Sequence, residues 1–277
     1  MKLSFSTLGC PTWTIDEIIE NAKNYGFQGI GIRGIQGEFD LTKLEAFNDA
    51  NRAKTLEKLR NAGLTLTILK TSAKFTSPDQ AEWQKNLDDA KAGIDLAQKC
   101  GSPLIRVFGG RIPEGVTREA ANANVVRALK ALGEYAKDKN VVVTVETHDD
   151  YSDTKIVREI MDSTDHPNVG VLWDVHHPYR ACGQGMQECW DNIGKYVVHT
   201  HFKDSKVDPS EKLGYKYCLL GDGDVPNIEA MQILKDAGYD GFMTLEWEKA
   251  WHDYLPDASI GFPQFVKKMR EYEAQLK

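Results

Sequence analysis

VVVTVETHD (residues 141–149), VGVLWDVHH (169–177), VVHTHFKD (197–204) and FMTLEWE (242–248) each begin as a short apolar run and each deliver a metal-capable side chain toward the end. Those side chains are Glu146, Asp174, His201 and Glu246. Carboxylates and an imidazole are costly beside apolar residues unless something compensates them, and a divalent cation held by oxygen and nitrogen donors does so. A metal centre is therefore the leading expectation. The four residues are 28, 27 and 45 positions apart, the length of one or two strand-plus-helix units. In a closed parallel barrel every strand ends on the same rim, where residues distant in sequence converge and such enzymes keep their chemistry.

Working outward, β-branched apolar runs predict eight strands, at 3–7, 28–33, 65–72, 104–108, 141–146, 169–174, 197–202 and 242–246. Helical patterns fit 15–25, 43–61, 80–99, 118–139, 155–163, 186–193, 227–237 and 263–276. The first opens with Thr14 and has Glu17 three residues on, a capping box that ties down the first free amides. Glycines follow several helices, as in Tyr25-Gly26 and Cys100-Gly101, where a left-handed residue ends the helix. Regular strand-helix alternation needs a parallel sheet, and eight units at this length predict an α/β fold with a single (β/α)8 TIM barrel over 1–277. No GxGxxG follows the first strand, so a dinucleotide fold lacks its main signature. The connections at 73–78 and 203–225 are too long for plain turns and are expected over the active rim, read equally as lids or binding loops or as disordered segments.

A chain of 277 residues with 41% hydrophobic residues can bury one large core. Its formal charge of −7 argues against a surface built for nucleic-acid phosphates and favours small-molecule chemistry. Five scattered cysteines without CxxC pairing read as free thiols. The first residues, MKLSFSTLG, hold no sustained apolar core, and no stretch approaches a membrane span. The default is a cytoplasmic protein without membrane or nucleic-acid partners; whether it forms a homo-oligomer is open.

At these strand ends the chain resembles the xylose isomerase-like TIM-barrel superfamily, which includes sugar isomerases and epimerases of the D-tagatose 3-epimerase type, inosose-processing enzymes and endonuclease IV. The resemblance spans nearly the whole chain. It is carried by VETHD at Glu146, WDVHH at Asp174, HTHFKD at His201, and the closing segment GDGDVP…LKDAGYDGFMTLEWE from Gly221 to Glu248. It implies that Glu146, Asp174, His201 and Glu246 hold one Mn²⁺ or a similar ion such as Mg²⁺, Co²⁺ or Zn²⁺. Strand alternation puts His199 and His201 on the same side, so the residues alone leave the choice of histidine open; the family pattern uses the second. His177 matches the position that contacts substrate oxygen, and His176 reads as structural. His148 is read equally as reaching the substrate or as a loop histidine on backbone, and Lys203 as a substrate contact or a solvent-facing lysine. Trp13, Trp247 and Trp251 offer an apolar wall for a sugar ring, with packing at the rim as the alternative.

The implied activity is a divalent-metal-dependent isomerase or epimerase on a ketose or keto-sugar, working by proton transfer through an enediolate, with Glu146 and Glu246 as the catalytic pair. Two departures leave the substrate open: Ser152 and Val207 stand where the 3-epimerase pattern has a substrate-binding glutamate and an arginine. Arg106 and Arg111 are candidate anchors. The alternatives are a lyase or dehydratase on a 3-keto-glycoside or inosose with His148 or His177 as acid, an endonuclease IV-like phosphodiesterase, and a non-catalytic sugar-binding barrel. Seven histidines, few at strand ends, weigh against the nuclease, and the complete tetrad weighs against the last.

Overall fold

Strand β1 (Lys2–Ser6) pairs in parallel with both β2 (Gly29–Ile32) and β10 (Phe242–Leu245), and that double pairing closes the sheet. In the computed structural model, which describes residues 1–277, the remaining barrel strands are β3 (Thr65–Lys74), β4 (Leu104–Phe108), β5 (Val142–Glu146), β6 (Val169–Asp174) and β7 (Val197–Phe202). Around the barrel the order is β1-β10-β7-β6-β5-β4-β3-β2. All eight strands fall where the apolar runs predict them, within a residue or two at most ends.

The helices lie between strands: α1 (Ile15–Tyr25), α2 (Arg52–Asn61), α3 (Gln80–Cys100), α4 (Arg118–Ala136), α5 (Thr154–Thr164), α6 (His176–Cys182), α7 (Met186–Ile193), α8 (Asn227–Asp236) and α9 (Ala258–Glu273). The predicted capping box of α1 forms, with Glu17 N–H donating to Thr14 Oγ1 at 3.3 Å and Thr14 N–H donating to Glu17 Oε2 at 2.7 Å. Gly26 ends α1 at φ 86°, a conformation that favours glycine. Phe5 of β1 meets Phe262 of α9 at 4.4 Å between ring centroids, and Phe27 joins them, which seats the last helix against the first strand.

Four expectations need correction. The helix expected at 43–61 splits into two single turns (Leu41–Lys43 and Glu45–Phe47) followed by α2. Asp40 and Asn48 side chains accept backbone N–H bonds from Thr42 and Asn51, so each restarts the chain locally. Helix α9 begins at Ala258 and not at 263, because Asp257 caps it through Ser259 N–H; Pro263 lies within the helix. Helix α6 was not foreseen. The 203–225 connection holds an antiparallel hairpin of β8 (Asp204–Val207) and β9 (Tyr215–Cys218). All five cysteines are free thiols, and no helix is long and apolar enough to cross a membrane.

Candidate metal and active site

β5, β6, β7 and β10 are four successive staves of the barrel, so the ends that carry Glu146, Asp174, His201 and Glu246 are neighbours. Asp174 pairs in register with His201, and Glu246 follows β10 directly with its N–H bonded to Phe202 O. All four side chains are buried. His201 Nδ1 is central: it lies 2.8 Å from Glu146 Oε1, 3.3 Å from Glu246 Oε1 and 3.8 Å from Asp174 Oδ2. One donor atom from each of the four falls within 4.8 Å of all the others. Three carboxylates and one imidazole form a hard-to-borderline donor set suited to Mn²⁺, Mg²⁺, Co²⁺ or Zn²⁺. Glu146 Oε2, fully buried, accepts no hydrogen bond, as a side chain built to ligate an ion would leave it.

His199 is one layer deeper. Its Nε2 meets Thr244 Oγ1 at 2.9 Å, and Thr244 in turn meets Ser4 Oγ at 2.6 Å, so this histidine belongs to a polar chain inside the barrel. Burial and the His201 charge hold its pKa well below the usual histidine value, which leaves it neutral.

Buried cations surround the tetrad. Lys203, from the residue after β7, places Nζ 2.9 Å from Asp174 Oδ2, 2.9 Å from Glu246 Oε2, 2.7 Å from Glu248 Oε1 and 3.0 Å from His177 Nε2. Lys70 of β3 lies 3.1 Å from His201 Nε2 and 3.5 Å from Glu246 Oε1. Arg106 of β4 lies 3.3 Å from Glu146 Oε2 and stacks on Phe108. Burial alone would raise Glu246, yet His201, Lys203 and Lys70 hold its carboxyl well below the usual range. Asp174 goes the other way: burial lifts it to about 6 against the pull of Lys203. Burial pushes the Lys70 ammonium down to about 8. Lys70 Nζ and Glu146 Oε1 thus flank the two ring nitrogens of His201, at 3.1 and 2.8 Å.

Above the tetrad opens a cleft of about 430 Å³, lined among others by Arg33, Arg106, Glu146, His148, His177 and Glu246. His148 and His177 stand edge to face at 4.5 Å. Burial, with Lys203 beside it, drives the His177 pKa well below the usual value, so the ring is neutral. His148 shifts upward: burial opposes its charge, but Asp149, whose Oδ2 is 3.1 Å from Nδ1, outweighs it. The β8–β9 hairpin contributes Tyr215 and Tyr217 to the cleft. Helix α6 begins at His176, whose Nε2 is 2.8 Å from Ser205 Oγ and whose ring packs on both tyrosines, a structural position.

The structure moves three expected residues away from the cleft surface. Trp13 packs edge-on against Phe262. Trp247 is 3% exposed, its indole N–H donates to Pro256 O, and its ring sits against Gly261 of α9. The strand face explains this: Glu246 and Glu248 point inward, so Trp247 between them points to the helices. Trp251, 54% exposed and stacked on Phe39, is the tryptophan at the cleft. Lys203 faces neither substrate space nor solvent; it lies beneath the cleft surface among the acidic groups. Lys70, Arg33, Glu248 and the two tyrosines were missed by sequence reading. A signal existed for Lys70, a charge in the middle of the strand TLTILKTSAK and directly after its apolar run.

A family model described as xylose isomerase-like TIM barrel matches residues 19–268. The chain belongs to that family. Curated family relatives include 3-dehydroshikimate dehydratase of Pseudomonas putida, 23% identical over 254 residues that make up 89% of this chain and 38% of that protein. Inosose dehydratase of Clostridium perfringens is 25% identical across 60% of this chain and 57% of its own length, so the chain spans well under half of the first dehydratase and little more than half of the second. Fructoselysine 3-epimerase of Shigella flexneri is 21% identical across 89% of this chain and 90% of its own. Among solved structures, D-psicose 3-epimerase with D-tagatose from Clostridium cellulolyticum superposes with a TM-score of 0.79 at 17% identity, covering 100% of both chains. The IOLI protein with a bound zinc atom gives 0.82 at 17% identity, covering 100% of this chain and 99% of that one. Likeness at that identity establishes the barrel. The xylose isomerase-like family thus includes epimerases and dehydratases, and at least one relative of this fold holds a divalent metal.

Proposed function

We propose that the chain is a divalent-metal-dependent isomerase or epimerase that moves a proton next to the carbonyl of a ketose or keto-sugar. The observation that carries this reading is the placement of Glu146 and Glu246 at the two ends of the four-stave run, with a carboxylate oxygen of each within 2.8 and 3.3 Å of His201 Nδ1. Two carboxylates that reach one site from non-adjacent strands suit removal of a proton from one face of a carbon and its return to the other. Glu146, Asp174, His201 and Glu246 would hold the ion, which would supply Lewis-acid polarisation of the carbonyl and stabilisation of the negative charge left when the α-proton departs. Glu246 is the first base: it is held ionised by His201, Lys203 and Lys70. His177, neutral and at the cleft surface, donates to a substrate oxygen, and His148 packs edge to face against it.

A second reading stays in the same family: a dehydratase, in which loss of the α-proton is followed by departure of a β-hydroxyl. Its support is the His148–His177 pair, which puts a titrating imidazole beside a neutral one where a leaving hydroxyl needs a proton. Metal analysis of the purified protein, with solvent deuterium incorporation followed across ketoses, inososes and 3-keto-glycosides, separates the two. Deuterium in a recovered epimer or isomer supports the first, loss of water the second, and no metal-dependent exchange from any ketone refutes both.

A further inference from the structure

Four carboxylates line the cleft: Glu146, Asp149, Glu246 and Glu248. Two belong to the tetrad. Asp149 is engaged on both oxygens, with Arg111 Nε 3.1 Å from Oδ1 and His148 Nδ1 3.1 Å from Oδ2. Glu248 is engaged on one. Its Oε1 accepts from Lys203 Nζ at 2.7 Å, whereas His252 Nε2 stands 3.6 Å from Oε2, beyond hydrogen-bond reach. An ionised carboxylate has two oxygens and about four lone-pair sites, so Glu248 presents most of its accepting capacity unfilled.

Charge balance does not explain this side chain. Lys203 already meets Asp174 and Glu246, each at 2.9 Å, without a third carboxylate. The Glu248 side chain is only 13% exposed, and withdrawing an anion that far from water is costly unless its oxygens are matched. Its direction is set by the strand: two residues beyond Glu246, it is aimed at the same space. The turn that carries it also carries Trp251, whose N–H donates to Glu248 O at 3.0 Å and whose exposed indole offers an apolar face at the cleft. An acceptor and an aromatic face on one turn match the two sides of a sugar ring, its hydroxyl edge and its C–H face. A second cation is disfavoured at Oε2, because the Lys203 ammonium is already on the same carboxylate. A hydroxyl donates without adding charge.

We propose that Glu248 is a specificity-determining residue whose Oε2 accepts a hydrogen bond from a substrate hydroxyl on a carbon away from the reacting one, with the ring's C–H face toward Trp251. This rests on the metal-dependent keto-sugar reading and names the group that reads the substrate's hydroxyl pattern. An acceptor-only carboxylate also rejects any substituent at that carbon that cannot donate.

The test uses metal-loaded protein and the ketose, inosose or 3-keto-glycoside that binds it most tightly, with analogues in which one hydroxyl away from the carbonyl is replaced by hydrogen, fluorine or an amino group. Calorimetry reads binding and deuterium incorporation reads α-proton exchange. At one carbon the deoxy analogue should bind about 10- to 100-fold more weakly than the hydroxyl compound, the size of a hydrogen bond to a charged group. The fluoro analogue should bind more weakly still, since fluorine cannot donate and faces a carboxylate. Glu248→Gln can keep an oxygen on Lys203 Nζ while turning an N–H donor to the cleft, so it should bring the fluoro analogue level with the deoxy one or above it; Glu248→Asp, which keeps the charge, should leave fluorine the weaker. A purely structural role for Glu248 does not invert that order. A fluoro analogue that binds the unsubstituted protein as well as its deoxy counterpart at every carbon overturns the proposal, whether or not Glu248→Gln folds. An order unchanged in folded Glu248→Gln, an amino analogue that binds more tightly than the hydroxyl compound, or failure of every ketone to bind overturns it as well. Metal-dependent exchange without a Glu248-dependent order leaves the function reading intact and refutes this one. A Glu248-dependent order in binding without exchange from any ketone does the reverse.

Discussion

Lys203→Met is the most informative single change, because it removes a buried ammonium from the middle of three carboxylates and an imidazole. At an effective dielectric near 20, each of the three contacts at 2.7 to 2.9 Å is a gross attraction of about 6 kcal/mol before desolvation is subtracted. Most of that is offset by the loss of hydration, and breaking such a buried network by removing one partner typically destabilises by about 3–5 kcal/mol. For a chain of this size each kcal/mol moves Tm by roughly 2–4 °C, so the metal-free variant should melt about 6 to 20 °C below the parent. Methionine nearly preserves the volume, so the loss is electrostatic. The vacated position is also bounded by His177, Glu246 and Glu248, a set able to hold a cation. Titration with Mn²⁺ or Zn²⁺ should therefore raise Tm more in the variant than in the parent and change the stoichiometry from one ion to two. The assay is calorimetric melting in chelator and in excess metal, with metal counted by elemental analysis. A metal-free variant within about 2 °C of the parent, less than 1 kcal/mol, would refute the idea that Lys203 neutralises these acids. A stoichiometry that stays at one would refute its standing in for a second ion.

Chelation of the parent should abolish exchange at the substrate α-carbon and lower Tm, and re-addition of Mn²⁺ should restore both; activity that survives exhaustive chelation rejects the tetrad as the working site. Glu246→Gln keeps shape but cannot accept a proton, so kcat should fall by about 10²-fold or more with a smaller change in KM, metal content being measured in parallel. His177→Ala should retain its metal and lose about 10- to 100-fold in kcat/KM, in line with loss of a hydrogen bond to developing charge; unchanged kinetics would remove His177 from the substrate. Gly223→Ala should destabilise the turn before α8 by about 1–3 kcal/mol, because its methyl group collides with the Asp204 carboxylate, which accepts from Gly221, Gly223 and Val225 N–H. Thermal melting reads this directly.

The barrel was legible because its strands are continuous apolar runs and its helices carry caps, both local signals. The tetrad was legible because Glu146, Asp174, His201 and Glu246 end such runs. Choosing His201 over His199 needed depth along the strand: both point inward, but Thr244 and Ser4 occupy the layer of His199. Trp247 was misplaced where alternation, applied to Glu246, Trp247 and Glu248 together, gives the observed faces. The same step would have brought in Glu248. Tyr215 and Tyr217 reach the cleft through a hairpin whose position over the rim depends on Asp204 gathering backbone N–H groups across the Gly221–Val225 turn, a long-range contact without a local pattern.

Lys70 and Arg106 illustrate why a functional barrel departs from an ideal one. A (β/α)8 interior is normally filled by layers of branched apolar side chains, yet in this barrel β3 and β4 send a lysine and an arginine to face Glu246 and Glu146. Replacing each buried pair by apolar residues of similar volume is often neutral or stabilising by about 1–4 kcal/mol. The charged layer is thus not explained by stability. It is explained if the two glutamates must remain ionised in a site closed to water: Lys70 is among the cations that hold Glu246 down against its burial, and Arg106 among those that hold Glu146 down. The same cations, fixed by the strands before any substrate arrives, oppose the negative charge that builds up there, which is what preorganised electrostatic stabilisation requires.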